Sequence, residues 1–280
     1  MGPVFLFGTG RCGSTHLQRL ISLNTEIWVW GEHDGFLNPL MRGLRTYEDS
    51  AALKRAVFDV KLPDADEALV ERVRSEAAIL SWLNRLDRSS LRRELRTLIE
   101  RLFSQGIPRG WSGWGFKEIL YGGPDDTPAI LLEMFPDCRA AFSFREPAAT
   151  IDSMIRSWAP ALAREPARVG EIPAVYEYRA KRWLTVMAYF IALKQARPDR
   201  VAFLDTDALN APAELVLDAL RLRLRHDPPG RPTPATNRGP RNLSDPAGQM
   251  MAACFERWRD EMTDLYQTAM SLRQRMASRG

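Results

Sequence analysis

Short apolar runs rich in β-formers alternate along this chain with apolar residues at helical spacing. Val4–Phe7 is the first run, bounded by Pro3 and Gly8, and reads as a buried strand. Further strands are predicted at Glu26–Trp30, Trp114–Ile119, Cys138–Phe144 and Arg200–Asp205. Between them, Leu17, Leu20 and Ile21 give a helix after Ser14 its apolar face. Leu69, Val73, Ala77 and Leu80 stripe the segment 64–80. Ser89 or Ser90 caps a helix whose apolar face is Leu91, Leu95, Leu98, Ile99, Leu102 and Phe103. Its other face, Arg92, Arg93, Glu94, Arg96, Glu100 and Arg101, reads as solvated. Ala129–Phe135 is helical and closed by Pro136-Asp137. Pro147 opens a helix with Ile151, Met154, Ile155 and Trp158 on its apolar side. Tyr178–Ala196, Ala213–Leu224 and about 246–276 are further helices, the last with Met251, Phe255, Trp258, Met262, Leu265 and Ala269 as its buried stripe.

Strands alternating with helices predict an α/β fold, a single domain over 1–280 with a central parallel sheet flanked by helices. Residues about 40–108 read as a helical insertion between strands and a candidate substrate cap. In such a sheet ligands sit at the carboxyl ends of the strands. That places the 8–15 loop, Glu32, Lys117 and Arg145 on one edge.

The 280 residues are 45% hydrophobic and 26% charged, enough to bury a sizeable core. The net charge of +4 suits an anionic ligand. The arginines are scattered rather than set in a basic stripe with aromatics, so nucleic acid is not an expected partner. No run approaches the roughly 18 apolar residues of a membrane span, and no basic-then-apolar leader is visible. Cys12, Cys138 and Cys254 are odd in number and widely spaced. That argues against a disulfide framework or a zinc site, and a reducing cytoplasm is the expected location.

The chemistry is concentrated at the strand ends. Gly8, Gly10 and Gly13 interrupt regular structure just before Ser14 and Thr15 open a helix. Strand, glycine-rich turn and helix N-terminus make an anion cradle, because backbone N–H groups and the helix dipole favour negative charge there. Gly8-x4-Gly13-Ser14-Thr15 approaches the nucleotide motif GxxxxGK[ST], but Ser14 stands where that motif needs lysine, and the cation is Arg11. A kinase would lack the lysine that reaches the β- and γ-phosphates. One phosphate held by backbone, two hydroxyls and Arg11 fits better. Cys12 is either a reactive thiol or a small residue suited to a tight turn. Glu32 and His33 are candidates for acid–base work, or else form a polar turn. Arg145 offers a planar fork to phosphate; the alternative is a salt bridge with Glu146.

With those clusters in hand, the sequence resembles the sulfotransferase superfamily that uses 3′-phosphoadenosine-5′-phosphosulfate (PAPS). GTGRCGSTHLQRLI, opening at Gly8, is similar to that family's 5′-phosphosulfate loop in the bacterial form with arginine. FPDCRAAFSFREPAATIDSMIRSW, from Phe135 to Trp158, is similar to its strand ending in Arg-Asp-Pro followed by a serine-bearing helix; here the dipeptide is Arg145-Glu146, and Ser153 follows. Lys117 before Phe-Pro-Asp and the strand at Val201–Leu209 are weaker matches.

The resemblance implies a P-loop-type sulfotransferase fold and PAPS as cofactor, with adenosine 3′,5′-bisphosphate as product and no metal. It implies that Gly10, Arg11, Cys12, Gly13, Ser14 and Thr15 hold the 5′-phosphosulfate, and that Arg145 and Ser153 hold the 3′-phosphate. Asn237-Arg238-Gly239 partly matches the family's late basic loop, which brings Arg238 and Gly239 to the cofactor. Glu32 is the first choice of base and His33 the second, with Arg11 and Lys117 assisting the transferring group. The partner is a small-molecule, carbohydrate or lipid acceptor with a hydroxyl or amine, its pocket drawn from 34–110 and 159–175, and a homodimer is compatible with the chain. The competing readings are a P-loop nucleotide kinase, with Asp205 as its metal carboxylate, and a non-catalytic nucleotide-binding relative.

Overall fold

The computed structural model describes residues 2–51, 65–75, 88–225 and 245–277. In chain order its elements are β1 (Val4–Gly8), α1 (Ser14–Asn24), β2 (Ile27–Trp30), α2 (Leu37–Asp49), α3 (Ala65–Arg74), α4 (Arg88–Ser104) and β3 (Gly113–Glu118). They continue with α5 (Thr127–Met134), β4 (Arg139–Phe144), α6 (Pro147–Trp158), α7 (Pro160–Arg164), a 3₁₀ turn (Pro166–Glu171) and α8 (Ile172–Ala196). The chain closes with β5 (Val201–Asp205), α9 (Thr206–Leu209), α10 (Ala213–Ala219), α11 (Pro246–Glu256) and α12 (Arg259–Ala277). The chain divides into two compact units, one of 1–35 with 103–280 and the other of 36–102.

The larger unit is an α/β layer structure around a five-stranded sheet of order β2-β3-β1-β4-β5. Every pairing is parallel, so all five strands end on one edge. The register aligns those ends: Phe7 lies opposite Glu118, Gly8 opposite Ser143, and Phe144 opposite Asp205. Alternation along the strands sorts the core into two chemistries. Phe5 and Phe7 of β1 join Phe116, Phe135, Phe142 and Phe190 on an aromatic face, with Phe142 stacked on Phe190 at 4.2 Å. Val4 and Leu6 belong instead to an aliphatic cluster with Leu17 and Ile21 of α1 and Val216 and Leu217 of α10. Among the described residues, no helix is long and apolar enough to cross a membrane.

The smaller unit contains α2, α3 and most of α4. Leu37, Met41 and Leu44 form the buried stripe of α2. Arg92 grips the Glu48 carboxylate with Nε and Nη2, both at 2.8 Å.

Several expected boundaries move. The long final helix is broken at Arg257–Trp258, where the Trp258 N–H turns back to the Phe255 carbonyl. Apolar spacing runs on through that break, so periodicity alone carries no sign of it. α8 begins before Tyr178, at Ile172, with Pro173 in its first turn. On α4, Leu95 and Ile99 are buried, whereas Leu98 and Leu102 are exposed. Val73 is exposed on α3, and the expected stripe positions Ala77 and Leu80 lie outside the described residues.

Candidate active site

The loop after β1 turns on two glycines. Gly10 and Gly13 have φ of 81° and 84°, in the region closed to most side chains, and Arg11 between them has φ 52°. A Cβ at Gly10 would meet Trp158 Cη2 at 2.8 Å, and one at Gly13 would meet Leu209 Cδ1 at 2.8 Å. Trp158 therefore lies over the loop with its ring exposed, not in the core stripe its spacing suggests. Cys12 is fully buried beneath the loop, its thiol 3.2 Å from the Ser143 hydroxyl, which itself donates to the Phe7 carbonyl. Of its two readings the structure places it as the small residue of a tight turn. Ser14 is buried at the start of α1 and Thr15 exposed beside it.

Two side chains tie neighbouring elements to this loop. Arg11 Nε donates to Ser153 Oγ of α6 at 3.1 Å, so the two expected anion-binding segments touch directly. Lys117, buried at the end of β3, donates to Thr15 Oγ1 at 3.2 Å and to Glu32 Oε1 at 2.5 Å. Glu32 is 42% exposed, so its carboxylate reaches solvent while held by the buried ammonium.

His33 turns the other way. Its ring packs edge-on to Phe103, Phe116 and Tyr121, with Nε2 2.6 Å from the Tyr121 hydroxyl. Burial pulls its pKa below 6.5, opposed by the nearby Glu118 carboxylate. Glu118 is itself fully buried and accepts the backbone N–H groups of His33, Gly35, Ile119 and Leu120 at 2.8–3.0 Å.

Arg145 follows β4. The salt bridge with Glu146 does not form, because the Glu146 carboxylate caps α6, accepting from Ala148 N at 2.9 Å and Ala149 N at 2.7 Å. Among the described residues no carboxylate pairs with the Arg145 guanidinium. Asp205, at the end of β5, accepts from Ala208 N at 2.9 Å and from the Arg273 guanidinium. Arg238 and Gly239 lie outside the described residues. Among the described residues, no group of three or more His, Cys, Asp or Glu is placed to hold a metal ion.

Sequence reasoning did not find the Thr15–Lys117 link, the role of Glu118, Tyr121 beside His33, or Arg156. The last donates to Asp152 and to Asp245, the N-cap of α11, at 2.9 and 3.2 Å. Only the Glu-Pro pair at 146–147 carried a local sign of its part, a cap before a first-turn proline.

No family model matches the chain, and no curated protein matches it. Solved structures do. The sulfotransferase domain from the curacin biosynthetic pathway is 14% identical, with 95% of this chain and 96% of that one covered and a TM-score of 0.50. The sulfotransferase domain from the Synechococcus olefin synthase is 19% identical over 96% and 93%, with a TM-score of 0.47. A sulfotransferase from Mycobacterium avium is 14% identical over 91% and 68%, with a TM-score of 0.44. The first of these shows that the chain has the fold of a sulfotransferase domain.

Proposed function

We propose that the chain is a sulfotransferase that moves a sulfuryl group from PAPS to a hydroxyl or amine on a small-molecule, carbohydrate or lipid acceptor. The observation that carries this reading is the Lys117 ammonium, which joins the Thr15 hydroxyl of the anion loop to the Glu32 carboxylate. One side chain thus sets a proton acceptor beside the loop that would hold the transferring group.

The residues present fit PAPS. The loop is left-handed at Gly10, Arg11 and Gly13 and leads into the start of α1, where helix N-terminal N–H groups favour an anion and Ser14 and Thr15 add hydroxyls. Arg145, with no carboxylate partner among the described residues, suits a second phosphate, and Ser153 is tied to the loop through Arg11. When bound, PAPS supplies an activated sulfuryl group with adenosine 3′,5′-bisphosphate as its leaving group. With PAPS held by the loop residues and Arg145, Glu32 would take the proton from the acceptor O–H or N–H, and the S–O bond to the 5′-phosphate would break as the acceptor bond to sulfur formed. Arg11, Lys117 and the loop N–H groups balance the charge that collects on the bridging oxygen. Such a loose transfer needs positioning and charge stabilisation more than covalent chemistry from the protein. His33, buried and turned toward Tyr121, is the less accessible candidate for the base. The kinase reading loses support because Asp205 already holds Ala208 N–H and Arg273.

Calorimetric titration tests this. Adenosine 3′,5′-bisphosphate is expected to bind far more tightly than AMP, and ATP with Mg²⁺ no better than AMP. Equal or tighter binding of ATP with Mg²⁺ would overturn the reading.

A further inference from the structure

Glu118 is a carboxylate with no exposure to solvent, and burying such a group is costly unless it is fully hydrogen-bonded. Four backbone donors satisfy it, two on each oxygen. Oε2 accepts from His33 N at 3.0 Å and Gly35 N at 2.9 Å; Oε1 accepts from Ile119 N at 2.8 Å and Leu120 N at 3.0 Å. The first pair belongs to the turn that carries Glu32, the second to the turn that follows Lys117. The Glu32 turn has no regular hydrogen-bond ladder and takes φ of 56° at Asp34 and 64° at Gly35. Such a bend converges its N–H groups on an anion, and here that anion is a side chain of the neighbouring strand.

We propose that Glu118 is a positioning residue. It clasps the Glu32 turn to the end of β3, and so fixes the Glu32 carboxylate against the Lys117 ammonium. This rests on the reading of Glu32 as the base. Glu32 is held from outside its own backbone by Lys117, whose stem is fixed in β3 next to Glu118. If the turn drifts, the carboxylate leaves both the ammonium and the loop. Glu118→Gln keeps the size and one carbonyl oxygen but sets an amide donor against two N–H groups, opening one half of the clasp.

The test is a double-mutant cycle on sulfuryl transfer, with PAPS and a simple phenol as probe acceptor. Glu118→Gln is expected to lower kcat about 10- to 100-fold, the usual penalty for removing an orienting partner. Adenosine 3′,5′-bisphosphate affinity should stay within about twofold, and in a Glu32→Gln background Glu118→Gln should cost nothing further. An unchanged kcat, or losses that multiply in the double variant, overturns the proposal. Amide hydrogen exchange gives a reading that does not depend on the reaction. In the unmutated protein the His33 and Gly35 amides should be protected, and Glu118→Gln should release them while distant β1 amides hold. Exchange at the rate of an open loop in the unmutated protein overturns the clasp even where the variant does not fold. Absence of any sulfuryl transfer by the unmutated protein, with the amides protected, would instead overturn the sulfotransferase reading alone.

Discussion

Strand β3 ends in Lys117-Glu118 and β4 is followed by Arg145-Glu146, the same kind of dipeptide on either side of β1. In both the glutamate turns away from its neighbouring cation to hold backbone N–H groups, four for Glu118 and two for Glu146. Neither cation is taken up by its own glutamate. The difference lies in what meets it instead. Lys117 finds a carboxylate and a hydroxyl, Glu32 and Thr15, while Arg145 finds no carboxylate among the described residues. An ammonium joined to a proton acceptor suits chemistry in which a proton moves. A permanently charged fork without an acid suits an anion that stays charged throughout. The same sequence pattern therefore yields two environments, set by the third residue rather than by the pair.

The sharpest way to break that contrast is at the acid. Glu32→Gln should lower kcat by about 10²–10⁴-fold, the usual contribution of general-base catalysis, with nucleotide affinity unchanged in calorimetry. A loss of affinity with kcat intact would give the β3 end the task argued for β4. Next comes the cation without an acid. Arg145→Ala should weaken adenosine 3′,5′-bisphosphate by about 10- to 150-fold, the worth of roughly 1.5–3 kcal/mol of hydrogen bonding to charge, and leave AMP binding nearly unmoved. Equal loss for both ligands would show that Arg145 does not read the 3′-phosphate.

Smaller still is the cap. Glu146→Ala should cost about 0.5–2 kcal/mol of stability, seen as a Tm lowered by a few degrees, while Arg145-dependent nucleotide binding persists. Were binding to collapse with the cap, Glu146 would be serving the ligand rather than the helix. The smallest effect concerns His33. Its folded pKa lies below 6.5, so on acidification the unfolded chain takes up the proton first. Its contribution is complete above about pH 6.5 and is lost as pH falls through the folded value. Urea midpoints followed across that window should fall for the unmutated protein and fall less for His33→Gln. Parallel curves would mean that burial does not hold the ring neutral.

What could be read in advance was local. Val4–Gly8, the glycines at 10 and 13 and the helix from Ser14 are contiguous, and each residue announces its own backbone geometry. The strand ends at Lys117 and Arg145 followed from the period of the apolar runs. The links that make a site of them join distant residues. Lys117 meets Thr15 and Glu32, and Arg11 meets Ser153, across stretches of chain with no common period. Glu118 was indistinguishable from a solvated acid, since its meaning lies in N–H groups of another turn. Trp158 misled for the opposite reason: its spacing is that of a core residue, but the helix face it shares ends over Gly10.

The strand order has a consequence for how the molecule is made. β1 is central and is synthesised before both strands that flank it, yet Val4 is in register with Gly115 on one side and Arg139 on the other. No hairpin can shelter it in the meantime. Its five buried residues stay unpaired until more than a hundred further residues have emerged, and closing such distant pairs is slow. During that interval the apolar run that will support the anion loop is the part of the nascent chain most open to wrong partners. Yield on expression, more than equilibrium stability, should therefore register substitutions in β3 and β4, the strands on which β1 waits.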